Sequence, residues 1–194
     1  VIEARTKIDD RICQGDVIRD VEFVEAIQEH EGIIDISKVL FPQIIVLTQD
    51  CDLLWDHTFR YEDRQNQDKL LLSVLVAPLY NAEHVFSGEH LSELGISSQL
   101  INRKRTDGRL LMQNEKPRYH YLEFPPEISL VPSVIDFKHY FSAPVLYLHT
   151  LKKTNFICTV SELFREDISQ RFASFLARIG LPEPAPPQKA KQQK

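Results

Sequence analysis

"PQIIVLTQDCDLLWDH" occupies residues 42–57. Behind Pro42, the run Ile44, Ile45, Val46 and Leu47 is apolar on both faces of an extended chain, which is the mark of a central strand. Thr48 and Gln49 end the run, Asp50 and Asp52 flank Cys51, and Asp56 and His57 follow. The stretch is readable as a nucleophile, as a metal site, or as the polar end of a buried strand. If the strand continues to Asp52, then Thr48, Asp50 and Asp52 face one side while Gln49 and Cys51 face the other.

On the N-terminal side, "GDVIRDVEFVEAI" (15–27) opens with a turn-forming Gly-Asp and then alternates apolar with charged residues. Strict alternation breaks between Ile18 and Val21, which predicts a bulge or bend there. "QEHEGIIDIS" supplies a glycine turn and a short second strand, leaving "PQIIVLT" as a third. On the C-terminal side, "WDHTFRYEDRQNQD" (55–68) has no apolar period and reads as a loop. "KLLLSVLVAPLY" (69–80) gives a buried fourth strand, and "PRYHYLEF" and "LVPSVIDFKHYFSAPVLYL" give two or three more. Residues 81–121 read as an insertion with a short helical pattern at Leu91, Leu94 and Ile96, then the basic turn "RKRTDGR".

One amphipathic helix closes the order. Phe164, Ile168, Phe172, Phe175, Leu176 and Ile179 recur at steps of three and four, Ser161 stands at the start, and Gly180 and Pro182 at the end. The remainder, "EPAPPQKAKQQK", has nothing to bury, so residues 181–194 are expected to be a disordered tail. Several strands followed by one helix predict a mainly β (α+β) fold, a small twisted barrel or curved antiparallel sheet with the C-terminal helix packed on it. The expected organisation is one domain over 1–180 with insertions at 49–68 and 81–121.

The 194 residues, 43% hydrophobic, suffice for one sizeable core. A formal charge of −5 argues against a surface that tracks phosphates throughout, and leaves room for a local basic patch. Cys13, Cys51 and Cys158 are widely spaced and unpaired in pattern, which suits a reducing cytoplasm. The longest apolar run, residues 70–79, is about half of the ~20 residues a membrane helix needs. A cytoplasmic protein without a membrane partner is the expectation. No Walker loop, GxGxxG, HExxH or zinc-type Cys/His spacing occurs, so no cofactor and no metal is expected.

The succession "GDVI", "FPQIIVLT", "LLLSVLVAPLY", "LVPSVIDFKHYF" and a final helix resembles the PemK/MazF toxin family. The resemblance implies a small β-barrel, usually dimeric, that cuts single-stranded RNA without metal. It places Gly15 and Asp16 in the opening turn and Thr48 at the active-site Ser/Thr position. The family's other catalytic residue, an Arg directly before the strand's Pro, is Phe41 here, and a phenyl ring cannot stabilise a phosphorane charge.

The remaining candidates come from residue chemistry. In "KPRYHYLEF" (116–124), alternation puts Arg118 and His120 on one face and Tyr119 and Tyr121 on the other. Such a strand is able to bind phosphate and stack a base, or to pair with Asp50 and Asp52. In "IDFKHYF" (135–141), His139 falls on the apolar face with Ile135, Phe137 and Phe141, the place of a core histidine. "NRKRTDGR" (102–109) holds four positive charges and one negative, so Arg103, Lys104 and Arg105 are candidate phosphate contacts. Asp50 and Asp52 are open to a capping role or to a hard cation, and Cys51 to nucleophilic attack, although flanking carboxylates disfavour a thiolate.

Together these point to a nucleic-acid-associated protein of a bacterial stress or phage-defence system, RNA before DNA. If it is an endoribonuclease, the expected pocket joins Thr48, Gln49, Asp50, Arg118 and His120, with His120 as acid or base and Arg118 in place of the missing Arg. The alternatives are a protein-interaction module docking through the 162–179 helix or the tail, and a Cys51-dependent hydrolase.

Overall fold

The computed structural model describes residues 1–61 and 67–178. Its strands and helices are β1 (Ala4–Arg5), β2 (Asp16–His30), β3 (Ile33–Val46), α1 (Asp50–Phe59), β4 (Ser73–Asn81), α2 (Ala82–Ser87), α3 (Thr106–Met112), β5 (Tyr119–Leu122), β6 (Ser133–Asp136), β7 (Phe141–Pro144), α4 (Val145–Asn155), β8 (Phe156–Val160) and α5 (Glu162–Leu176). The strands form one curled antiparallel sheet in the order β1-β8-β2-β3-β4-β6-β5, with β7 also on β4. The sheet-dominated α+β fold expected from the sequence is the fold observed.

The run at 44–47 sits where two-sided apolarity puts it. Ile45 faces a core built with Val17, Ala77, Leu122, Ile135, Phe137 and the buried stripe of α5. Ile44 and Val46 face a second core with Ile18, Val74, Val76, Leu53 of α1 and Leu148 of α4. The expected second and third strands are one continuous strand, β3, paired with β2 along almost its whole length. Their turn carries Glu31 and Gly32 at φ 52° and 79°, the doubly positive pair that matches the right-handed twist of a hairpin. Asp20, at φ 56°, takes up the bend expected between Ile18 and Val21.

Asp16 fastens the base of this hairpin. It is buried, and its carboxylate accepts from Cys13 N at 2.7 Å, Thr159 Oγ1 at 2.7 Å and Lys152 Nζ at 2.8 Å. Lys152 is itself buried on α4, so the pair ties α4 to the sheet. Farther out, β2 meets β8 only through Asp16–Ile18 and β3 meets β4 only through Ile44–Val46. Among the described residues, the distal hairpin is therefore an arm with two open edges, on which Ile27, Ile33, Ile34 and Ile36 are more than half exposed.

Three local expectations are corrected. The segment after Gln49 is a helix, α1, rather than a continued strand or a loop. Its apolar anchoring is slight, Leu53 above all, and it is specified by Asp50 and Asp52 at the positive end of the helix dipole and by the Asp56–Arg60 pair one turn apart. "VLYL" (145–148) opens α4, whose buried Val145, Leu148 and Lys152 follow a helical period. The insertion folds as α2, a 3-10 turn at Ser92–Leu94, and α3, the last starting inside the basic run.

In α5, Ile168, Phe172 and Phe175 are buried as expected, while Leu176 is exposed and Ser161 makes no side-chain cap. Because this stripe packs on Phe137 in the protein's own core, it is not a free face for a partner. The expectations for Ile179, Gly180, Pro182 and the tail at 181–194 lie outside the described residues. Among the described residues, no helix is long and apolar enough to cross a membrane.

Candidate functional site

The expected pocket is not formed, because its members take other partners. At the N-terminus of α1, Asp50 receives Arg11 Nη1 and Nη2 at 3.0 and 2.8 Å and Gln14 N at 3.1 Å, with Arg165 Nη2 of α5 at 3.5 Å. Burial alone would raise this carboxyl, but Arg11 and the Gln14 amide outweigh it and hold it below the ordinary range. Thr48 Oγ1 accepts the Leu75 amide at 2.7 Å and so serves the junction of β3 and β4. Gln49 and Cys51 are exposed. These residues, with Leu54, Arg165 and Ser169, border a shallow depression. The helix, not strand alternation, decides their directions.

Arg118 and His120 part company for an equally local reason. β5 begins at Tyr119, so Arg118 lies in the preceding turn and does not share the direction of His120. His120 turns into the core beside Phe137, its side chain 3% exposed. Burial, with Arg171 nearby, pushes its imidazole down to about 3. It is neutral at neutral pH and closed off from substrate. Tyr119 is buried too, against α2 and α3, with the Arg118 guanidinium 4.9 Å from its ring centre.

Arg118 instead forms a two-bond pair with Asp136 at the end of β6, Nε to Oδ1 at 2.8 Å and Nη2 to Oδ2 at 2.5 Å. The sequence places Asp136 opposite His139, yet a 3-10 turn at Phe137–His139 interrupts the alternation. In such a turn residues three apart eclipse, and His139 Nδ1 comes to 3.3 Å from Asp136 Oδ2 and 3.3 Å from the Tyr80 hydroxyl. His139 is therefore not a core histidine. His90, from the insertion, approaches the same carboxylate oxygen with Nε2 at 3.7 Å.

Asp136 is fully buried, which alone would raise its carboxyl. His90 and Arg118, with His139, outweigh that and hold it at about 2. The carboxylate is ionised, and the His139 tautomer it favours is the one with the proton on Nδ1, in which Nε2 is the lone-pair nitrogen. Burial lowers the His139 imidazole below its ordinary value despite the attraction of Asp136.

This cluster stands at the wall of a cleft of about 620 Å³ lined by Lys116, Arg118, Lys138, His139, Tyr119 and Asp107 among others. A second, more apolar pocket of about 350 Å³ is bounded by Phe41, Pro42, Leu79, Leu91 and Leu94, with Tyr80 and His90 also in its wall. Phe41 stacks on Phe141 with ring centres 5.1 Å apart and also meets Phe23. Arg103 is occupied by Glu83 and lies over Phe86, whereas Lys104 and Arg105 are exposed before α3.

No family model, curated protein or solved structure matches this chain. Sequence reading singled out Arg118 and, in another role, His139. It missed Asp136 and Tyr80 as site residues, and it missed His90, for which no spacing signal exists.

Proposed function

We propose that this chain is a PemK/MazF-like protein of a bacterial stress or phage-defence system that binds single-stranded RNA in the Arg118–His139 cleft and cleaves it without metal. The observation that carries the reading is His139, backed by the buried Asp136, in the wall of a cleft lined also by Lys116, Arg118 and Lys138. Lys116 pairs with Asp107 at 3.1 Å and Arg118 with Asp136, so Lys138 and the outer edge of the Arg118 guanidinium are what attract a phosphodiester, with Arg118 answering for the guanidinium absent at Phe41. Phe41 lines the adjoining apolar pocket, whose aromatic wall suits a nucleobase.

In this reading His139, not His120, is the general base. Its Nε2 takes the proton of a ribose 2′-hydroxyl while Asp136 steadies the imidazolium that results. The 2′-oxygen bonds to phosphorus, the bond from phosphorus to the 5′-oxygen breaks, and that oxygen takes a proton from water. The products are a 2′,3′-cyclic phosphate and a 5′-hydroxyl.

The test is cleavage of end-labelled single-stranded RNA in EDTA by wild type, His139→Ala and Arg118→Ala. The reading requires cyclic-phosphate ends and a loss on the order of 100-fold or more for His139→Ala. RNA binding with no cleavage moves the protein to the second reading, a non-catalytic interaction module. That alternative is favoured by the exposed isoleucines of the β2–β3 arm.

A further inference from the structure

The His90 side chain is 1% exposed, and among the described residues neither ring nitrogen has a partner at hydrogen-bond distance, Nε2 standing off Asp136 Oδ2 at 3.7 Å, where the contact is electrostatic. An imidazole in that position forfeits a donor and an acceptor, and a buried polar group left without its bond is costly. Its Nε2 is aimed at the Asp136 oxygen that His139 Nδ1 also approaches, and the three atoms lie within 4.8 Å of one another. Ligands about 2.0–2.1 Å from a tetrahedral ion stand roughly 3.3 Å apart, so the widest separation must close by up to about 1.5 Å, within reach of rotation of the two imidazoles.

We propose that His90, Asp136 and His139 bind one divalent transition-metal ion of the zinc class, which switches off the base of the cleft. The donors fit: two imidazoles and a carboxylate suit zinc, with a fourth position left to water. They are also held in place. His90 follows the end of α2, where Gly88 at φ +82° has no room for a Cβ, the Ser98 carbonyl oxygen being 2.3 Å from where one would sit. Asp136 is oriented through Oδ1 by Arg118 Nε and the Lys138 amide at 3.1 Å, the outer support that a metal-bound carboxylate needs.

Two groups oppose the ion, and both shape its effect. Arg118 Nη2 occupies Oδ2, so metal entry displaces that half of the guanidinium while Nε stays on Oδ1. Lys138 adds positive charge nearby. The site is thus open to modulation rather than permanently filled. The chemical consequence falls on His139. A metal on Nδ1 leaves the ring proton on Nε2, and the lone pair that accepts the 2′-hydroxyl proton is gone. That consequence rests on the reading of the cleft as a ribonuclease site; metal binding does not.

The test reads the two separately. Metal-free wild type is titrated with Co²⁺, followed by its visible absorbance, and with Zn²⁺ by calorimetry, beside His90→Phe and His90→Asn, with circular dichroism and thermal melts in EDTA to establish folding. One equivalent is expected in wild type, with affinity at least tenfold weaker in any folded His90 variant. In the RNA assay, Zn²⁺ suppresses wild-type cleavage, EDTA restores it, and the ratio of rates with and without Zn²⁺ moves toward one in the variants. No binding by wild type, or equal affinity in a folded His90 variant, overturns the site. Stoichiometric binding by a protein inert toward RNA upholds the site and overturns the ribonuclease reading, and cleavage untouched by bound Zn²⁺ overturns the switch.

Discussion

Asp50 Oδ1 and Oδ2 lie 3.0 and 2.8 Å from the two terminal nitrogens of Arg11. This pair joins the segment before β2 to the start of α1, and Arg165 brings α5 to the same carboxylate. The acid that looks catalytic beside Cys51 is the point where three parts of the chain are tied.

Replacing it should therefore cost stability. Asp50→Ala removes charge-assisted bonds from Arg11 and Gln14 and is expected to destabilise by about 2–3 kcal/mol. Asp52→Ala, which leaves those bonds intact, should stay within about 0.5 kcal/mol. Urea denaturation at pH 7 measures both, and equal effects would contradict the structural role of Asp50.

His120 predicts a pH dependence of known sign. Its folded value of about 3 lies below the ordinary 6.5, so between those limits the unfolded chain binds a proton that the folded chain refuses. Stability is complete above about pH 6.5 and falls with decreasing pH, at up to about 1.4 kcal/mol per unit for this group. His120→Leu should flatten that part of the urea-midpoint profile between pH 6.5 and 4. An unchanged slope would contradict the assignment.

The three thiols should separate by burial. Burial raises Cys13 to about 11 and Cys158 to about 12, whereas Cys51 is exposed at the start of α1. Ellman's reagent should find one reactive thiol in the native protein and three in urea, and Cys51→Ser should abolish the native signal. Rapid native labelling of Cys13 or Cys158 would contradict the packing.

Gly88 and Gly95 make a matched pair. Both have positive φ, but a Cβ at Gly88 meets the Ser98 backbone whereas one at Gly95 meets open space. Gly95→Ala should lose about 1 kcal/mol from conformation alone. Gly88→Ala should lose clearly more and weaken Co²⁺ binding, because the same turn places His90. Similar denaturation midpoints for the two variants would count against the close approach.

The sequence by itself determined the centre of the sheet, though not β8 (Phe156–Val160), for which no strand was expected and which pairs with β2. Ile44–Leu47, apolar on both faces, had to lie centrally; the broken alternation near Asp20 had to bend; the stripe Ile168, Phe172, Phe175 had to pack on a core. These are properties of residue period, and period is local. In α4, Val145, Leu148 and Lys152 carried a helical period that the β-rich appearance of "VLYL" masked. In α1 the decision lay with two carboxylates at a helix start and an ion pair one turn apart, a weaker signal than an apolar stripe.

The candidate site was decided by tertiary structure. Arg118 left the face of His120 because β5 starts one residue later. His139 crossed to Asp136 because three residues tightened into a 3-10 turn. His90 arrived from 46 positions away in sequence because a glycine without room for a side chain turned the end of α2 toward β6. Side-chain period fixes which face of an element is buried, but it does not say which polar atoms from separate elements will meet.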